Sequence, residues 1–265
     1  MIRVAAIWSG CIVCAAGVLV TQEWATQFET SGAATAGVMR VSQAAEQAIE
    51  PNADNLPPLG RSLFDHLISK GKGGYQVPFP FERLVERIER EVKPSSSGLP
   101  PVKQVLIPLG RSLQRNAGAP DFFQYPRVVA AVDSDPAHAS VMVLKDRLFL
   151  GYHEKAEIIE VVSYNEAAGR FEFQIVKDYR AGGNPRVFYA NRTLCTSCHQ
   201  NGAAIFSRPL WDETNANPEI AALLKAERFY GVAVNRGIDF PNAIDAATDR
   251  ANRISLYQRV WREGC

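Results

Sequence analysis

The sequence predicts an α+β fold in which an antiparallel β-sheet is flanked by helices. Strand-like alternation of apolar and polar residues is concentrated in 127–180, where short turn-like segments separate the runs. Apolar residues at three- and four-residue spacing precede this region in 81–92 and follow it in 242–263. Because the strand patterns are grouped and do not alternate with helices, an antiparallel sheet is favoured over a parallel one.

Composition and charge place the chain among ordinary globular proteins. Hydrophobic residues make up 46% and charged residues 22% of the 265 positions, which excludes a mainly disordered chain and a multi-span membrane protein. Lys and Arg number 29 against 28 Asp and Glu, giving a net charge of +1. A near-neutral chain without a basic tail gives no argument for nucleic acid, so we expect no nucleic-acid partner.

The N-terminal segment predicts export. Arg3 precedes an apolar run from Val4 to Val20 that is broken only by Ser and Gly. We interpret residues 1–21 as a signal peptide or an uncleaved anchor, which leaves the rest of the chain periplasmic or otherwise extracytoplasmic and, if uncleaved, tethered to the inner membrane by residues 4–20. Residues 22–56 are rich in Ala, Thr, Ser and Gly and are interpreted as a linker.

Residues 57–265 are predicted to form one domain that begins with a mainly helical part, 57–126. Phe81 to Val92 is predicted as an amphipathic helix that Pro94 and the following serines end. The phrase Pro-Leu-Gly-Arg-Ser-Leu occurs at 58–63 and again at 108–113. Two copies do not make a repeat architecture, so we interpret them as two helix starts or turns rather than as paired ligand-binding loops.

The middle part, 127–180, is predicted to supply the strands. The predicted strands are 127–132, 141–144, 148–152, 157–164 and 170–179. Asn165 to Gly169 has the composition of a hairpin loop that joins the last two. Beyond it, 181–265 is predicted as mainly helical, with Asn217 as N-cap and Pro218 in the first turn of one helix, and Asn242 to Glu263 as a long amphipathic helix.

One pentad carries chemistry: Cys195-Thr196-Ser197-Cys198-His199. Two thiols three residues apart on a helical turn can form thioethers with the two vinyl groups of a haem, and the adjacent imidazole can then bind the iron. From composition alone, the pattern arises by chance in roughly one such chain in a thousand. The predicted export signal is consistent with this chemistry, because haem is attached covalently outside the bacterial cytoplasm.

Two other uses of the pentad stay open. A zinc site would need a fourth ligand beside Cys195, Cys198 and His199, and Cys265 is the available thiol. A redox dithiol would favour strands alternating with helices, which this chain does not show.

The pentad resembles that of a mono-haem c-type cytochrome. The resemblance implies covalent haem c, with Cys195 and Cys198 as attachment points and His199 as the proximal iron ligand. Small cytochromes c supply a Met as sixth ligand after the motif, and here no Met or His follows His199. Either Met142 or His153 supplies that ligand from upstream, or the iron is five-coordinate. The competing interpretations are a core position for Met142 and a surface or turn position for His153.

A sheet followed by a late haem motif is also similar in architecture to the β-sheet cytochromes c-prime and their hydroxylamine-oxidising relatives. That resemblance implies a five-coordinate iron and, in some members, a Lys cross-linked to the haem. Here 66 residues follow His199, a longer tail than the resemblance implies, and no lysine can be matched to the cross-link.

The residues around the pentad have two interpretations. In one, Phe206, Leu210 and Trp211 cover the haem, and Arg186, Arg192 or Arg208 neutralise its propionates. In the other, they form ordinary core and surface. The sequence therefore predicts an exported haem protein that carries single electrons to a periplasmic redox partner it does not identify. The alternative is a haem enzyme or gas sensor acting on nitrogen oxides, hydroxylamine or peroxide.

Overall fold

The computed structural model describes residues 59–70, 74–94, 98–108, 121–137, 142–206 and 213–264. The predicted leader, the linker, residues 109–113 of the second repeated phrase, and Cys265 lie outside this part of the chain. Within it, no helix is both long enough and apolar enough to cross a membrane.

A six-stranded antiparallel sheet forms the centre of the fold. Its strands lie side by side in chain order, each paired with the next. They are β3 (Val102–Ile107), β4 (Arg127–Val132), β5 (Leu148–His153), β6 (Ile158–Asn165), β7 (Arg170–Lys177) and β8 (Arg186–Tyr189). Because each strand pairs with its neighbour in sequence, short connections suffice. The prediction of an antiparallel sheet flanked by helices is confirmed.

The remaining elements are helices and two short hairpins. The helices are α1 (Leu63–Ile68), α2 (Phe81–Glu89), α3 (Asp121–Gln124), α4 (Arg192–Cys198), α5 (Pro218–Leu223) and α6 (Asp239–Gly264). The hairpins pair β1 (Ser69–Lys70) with β2 (Gly74–Tyr75), and β9 (Arg228–Phe229) with β10 (Val232–Ala233). Asn217 caps α5 as predicted, because its Oδ1 accepts a hydrogen bond from the Glu219 N–H at 2.9 Å.

The structure corrects four details of the sequence prediction. Strand β3 lies in the part predicted as mainly helical, and β8 leads into the pentad where no strand was predicted. The predicted strand 141–144 is wrong over its described residues, because 142–144 have no regular secondary structure. The helix predicted to run to Val92 ends at Glu89, and Val92 forms an isolated bridge with Pro136.

Helices α1 and α2 pack on one face of the sheet. The rings of Phe81 and Tyr152 stack with centroids 4.9 Å apart. The Ser163 hydroxyl accepts a hydrogen bond from the Phe64 N–H at 2.9 Å, which joins α1 to β6. The α1 end of the domain is therefore fixed to the middle strands by both apolar and polar contacts.

The first repeated phrase is a helix start. Gly60 has φ +60°, and a Cβ there would lie 2.7 Å from that of Ala167, so the position requires glycine. Ser62 follows as the N-cap of α1 and accepts from the Asp65 N–H. Its hydroxyl also donates to Gln174 Oε1 at 2.7 Å. This copy supports the structural interpretation of the phrase.

Helix α6 packs against β3, β4 and β7 and closes the domain. Ile244, Ala247 and Ala251 are buried as the predicted spacing requires, whereas Tyr257 and Trp261, which continue that spacing, are exposed. Arg250 fixes the helix to the sheet, since its guanidinium donates twice to Asp146, at 2.7 and 2.8 Å, and once to Asp133 at 3.0 Å.

Candidate haem-attachment site

The pentad lies on α4 and at its end. Asn191 caps the helix by accepting a hydrogen bond from the Leu194 N–H. Cys195 is half-buried and packs on the apolar cluster that contains Phe173 and Ile175, whereas Cys198 is exposed. No disulfide joins the two cysteines. Residues three apart lie on the same side of a helix, so both sulfurs project from one side of α4.

The orientation of His199 is defined by a backbone hydrogen bond. Its Nδ1 lies 2.7 Å from the carbonyl oxygen of Ala203. A carbonyl only accepts hydrogen bonds, so Nδ1 carries the proton and donates. In the neutral imidazole this leaves a lone pair on Nε2, the atom that would bind a metal. Metal-binding histidines typically have this kind of outer hydrogen bond.

The surroundings of His199 favour the neutral ring. Burial lowers the pKa of His199, and the hydrogen bond to Ala203 only partly offsets that effect. The imidazole also packs against Phe173, with ring centroids 5.0 Å apart. The neutral form is the one whose Nε2 lone pair is free to bind a metal ion.

The loop after His199 is itself held in place. The Gly202 N–H donates to the His199 carbonyl at 2.6 Å, and Gly202 has φ +66°. Ala203 and Ala204 are buried in the main core. The carbonyl that orients His199 therefore belongs to a segment fixed by packing.

Helix α6 contacts this same loop with two polar side chains. Asn252 donates from Nδ2 to the Ala204 carbonyl at 2.9 Å, and also to the Thr248 carbonyl of its own helix at 2.7 Å. The Ser255 hydroxyl donates to the Asn201 carbonyl. Sequence reasoning missed both residues, because nothing in the pattern of α6 indicates a contact with a loop about 50 positions earlier.

His153 lies in a buried cluster on β5. The side chain is only 5% exposed, so the surface interpretation is wrong. Its Nε2 is 3.4 Å from Glu160 Oε2, and Arg127 Nη2 donates to the same oxygen at 2.6 Å. Gly151 leaves space for the Arg127–Glu160 ion pair, since a Cβ there would lie 2.6 Å from Arg127 Nη2.

Burial and the neighbouring charges shift the pKa values of His153 and Glu160 in opposite directions. Burial lowers the pKa of His153. Burial alone would raise the pKa of Glu160, but Arg127 and His153 outweigh it and lower that pKa to about 2. Glu160 is therefore ionised at neutral pH and His153 is favoured in its neutral form.

Met142, the other candidate sixth ligand, is half-buried and packs against the main core. His153 and Met142 are thus both engaged by contacts within the protein. A role for either as iron ligand stays a prediction.

The other predicted contacts are placed only in part. Arg192 donates to the Phe171 carbonyl at 2.5 Å and lies 3.6 Å from Glu172, so it is engaged by strand β7. Arg186 is exposed and lies over the Phe188 ring. Phe206 is half-buried against the main core. Arg208, Leu210 and Trp211 lie outside the described residues.

The donor set of the pentad fits haem c. Two thiols share one side of a helix, and the following imidazole has a lone pair on Nε2. Among the described residues, no three His, Cys, Asp or Glu side chains are grouped to hold a metal ion. Haem c requires only one iron ligand from the pentad, since its thiols bond to carbon. Leu194 and Ile205 expose apolar surface close to the pentad in sequence, of the kind that packs on a porphyrin.

Comparison of the chain with family models, with curated proteins and with solved structures gives no match in any of the three. Inference about function therefore starts from the pentad and its geometry.

Proposed function

We propose that this protein is an exported mono-haem c-type cytochrome that carries single electrons. The observation that supports the proposal best is the hydrogen bond from His199 Nδ1 to the Ala203 carbonyl, 2.7 Å long, directly after two cysteines three residues apart. That bond selects the tautomer in which Nε2 can bind iron.

Each residue of the pentad has a distinct task in this proposal. Cys195 and Cys198 would hold the porphyrin covalently, and His199 would bind the iron from the proximal side. When bound, haem supplies a one-electron couple whose potential depends on the axial ligands, hydrogen bonding and burial. Phe173 restricts the His199 ring by packing against it, and the buried Ala203 carbonyl fixes the ring's orientation.

The setting follows from the sequence and is part of the proposal. Residues 1–21 would direct the chain to the periplasm, where haem is attached and where a redox partner would exchange electrons with it. Residues 4–20 would tether it to the membrane if they are not cleaved.

A second candidate function is an open iron site that binds or converts nitrogen oxides, hydroxylamine or peroxide. The observation in its favour is that Met142 and His153, the candidate sixth ligands, are both engaged elsewhere in the fold. An iron with no sixth protein ligand is accessible to small molecules.

The first experiment is spectroscopy on the full chain, expressed with a haem-attachment system. We expect about one haem per chain that remains bound after denaturation in acidified organic solvent. Cys195→Ser or Cys198→Ser should lose one thioether and shift the reduced α band of the denatured pyridine adduct to longer wavelength. Cys195→Ser with Cys198→Ser should abolish covalent attachment. Cys265→Ser is the matched control and should keep full haem content.

The same sample separates the candidates. A low-spin ferrous spectrum that carbon monoxide does not change indicates a filled distal position and an electron carrier. A high-spin spectrum that shifts with carbon monoxide indicates the open site. A chain without haem that instead retains stoichiometric zinc would overturn both.

A further inference from the structure

We infer that α6 positions the iron-binding histidine, acting through Asn252 and Ser255. The inference rests on the proposed function and identifies residues that adjust the same site. Neither side chain is a catalytic residue, since each contacts the backbone of the loop after His199 and acts through it.

The first step is the geometry of the loop. It leaves α4 at His199, turns at Gly202 and places the Ala203 carbonyl 2.7 Å from His199 Nδ1. Asn252 Nδ2 donates to the carbonyl of the next residue, Ala204, at 2.9 Å. The acceptor for His199 and the acceptor for Asn252 are thus successive carbonyls of one buried segment.

The second step is the other end of the turn. The Ser255 hydroxyl donates to the Asn201 carbonyl. Ser255 and Asn252 are three residues apart and lie on the same side of α6. The turn is therefore held to the helix on both sides of Gly202, whose φ of +66° makes it the point where the backbone turns.

The third step is the effect on the iron. A firm hydrogen bond from Nδ1–H makes the imidazole a stronger electron donor, which favours oxidised iron. If the loop loosens, the bond to Ala203 lengthens and the oxidised state loses that support. Removing the two contacts of α6 should therefore raise the reduction potential and expose the Nδ1 proton.

Three variants of the full haem-loaded chain test this inference: Asn252→Ala, Ser255→Ala and the double variant. The control is Gln258→Ala on the same helix, because Gln258 is half-buried and faces Gly169 in the β6–β7 hairpin. The readouts are spectroelectrochemical potential, exchange of the iron-bound histidine's Nδ1 proton by NMR, haem content and thermal midpoint.

We expect normal haem content in all variants. The double variant should show a severalfold fall in the ratio of oxidised to reduced protein at a fixed solution potential, together with faster Nδ1 proton exchange. Gln258→Ala should match the wild type. Should the potential and exchange of all variants equal the wild type, or should Gln258→Ala shift equally, the positioning role is overturned while the haem proposal stands. A wild-type chain without covalent haem overturns both.

Discussion

At the scale of single residues, Glu160 shows how the fold controls a charge. Its Oε2 accepts a hydrogen bond from Arg127 Nη2 at 2.6 Å and lies 3.4 Å from His153 Nε2. It lies on β6, and the residues of the two adjacent strands are mostly buried. The cationic partner outweighs the burial that would otherwise keep the carboxyl protonated. The pKa of about 2 lies below the ordinary value of 4.5, so the ionised form stabilises the fold.

This predicts how stability depends on acid. The contribution of Glu160 is fully present above pH 4.5 and is lost as the pH falls from 4.5 towards 2. By linkage it is on the order of 3 kcal/mol. Glu160→Gln should lower the free energy of unfolding at pH 7 and flatten its decline in that window, as measured by urea unfolding at a series of pH values.

Glu166→Gln is the matched control, since Glu166 is exposed in the β6–β7 turn and its carboxylate lies 3.8 Å from the Arg147 guanidinium. This substitution should leave unchanged the decline of the free energy of unfolding between pH 4.5 and 2. An equal effect of the two substitutions would contradict the assignment of acid sensitivity to the buried cluster.

The candidate site was predictable where it depends on local spacing. Cys195, Cys198 and His199 are adjacent in sequence, and their chemistry needs only one helical turn. The Ala203 carbonyl was not predictable, because a backbone acceptor leaves no mark in residue type. Asn252 was not predictable either, since its role depends on how α6 crosses the loop. The burial of His153 was not predictable, because its partner Glu160 lies on the neighbouring strand and local sequence does not show that pairing.

At the scale of elements, the ion pairs of Arg250 fix the position of α6 against the sheet. They connect its middle to Asp146 and Asp133, at the turns that flank the β4–β5 connection. Asp146 has φ +60°. Its side chain is in a residue only 8% exposed, so water cannot readily replace Arg250 as its hydrogen-bond donor. A charged hydrogen-bond acceptor left buried without its donor is costly.

Arg250→Ala should therefore lower the free energy of unfolding by about 1–3 kcal/mol. Arg253→Ala, one turn further along and exposed, should change it by less than about 0.5 kcal/mol. Both are measured by urea unfolding at pH 7. If the two cost the same, the ion pairs of Arg250 contribute no more than an exposed helix residue.

Most strands could be predicted from the sequence, and the exceptions have physical reasons. Strands β4 to β7 have apolar or alternating runs bounded by turns. Strand β3 carries Lys103 and Gln104 among its apolar residues, and all six of its positions are buried, so no alternation marks it. Residues 142–144 are apolar but lie in the connection to β5, because β4 already pairs directly with that strand. Composition alone cannot distinguish such a connection from a strand.

At the scale of the whole molecule, the outer side of α6 is the notable surface. Four large apolar side chains lie within two turns near its end, Trp261 with 72% and Tyr257 with 61% of its surface exposed, beside Leu256 and Val260. Apolar residues grouped in this way favour association. The near-neutral net charge of +1 provides little repulsion against it.

We therefore predict concentration-dependent self-association of the purified protein. Tyr257→Ser with Trp261→Ser should reduce it, as measured by sedimentation velocity, without lowering the thermal midpoint. Leu223→Ser with Ile238→Ser removes two exposed apolar residues from separate places and should leave association unchanged. Equal behaviour of the two double variants would exclude a role for this patch.

The contacts between α6 and the loop after His199 also have a consequence for the order of events during biogenesis. Residues 239–264 follow the pentad in the chain, so under the proposed function the pentad would cross the membrane first and reach the periplasm before α6 can dock. During that interval neither Asn252 nor Ser255 restrains the loop, and α4 is fully accessible to an attachment enzyme. Under the proposed function, haem would be joined to a chain whose last helix is still undocked. Docking of α6 would then act as the finishing step of maturation, closing the loop behind a cofactor already in place.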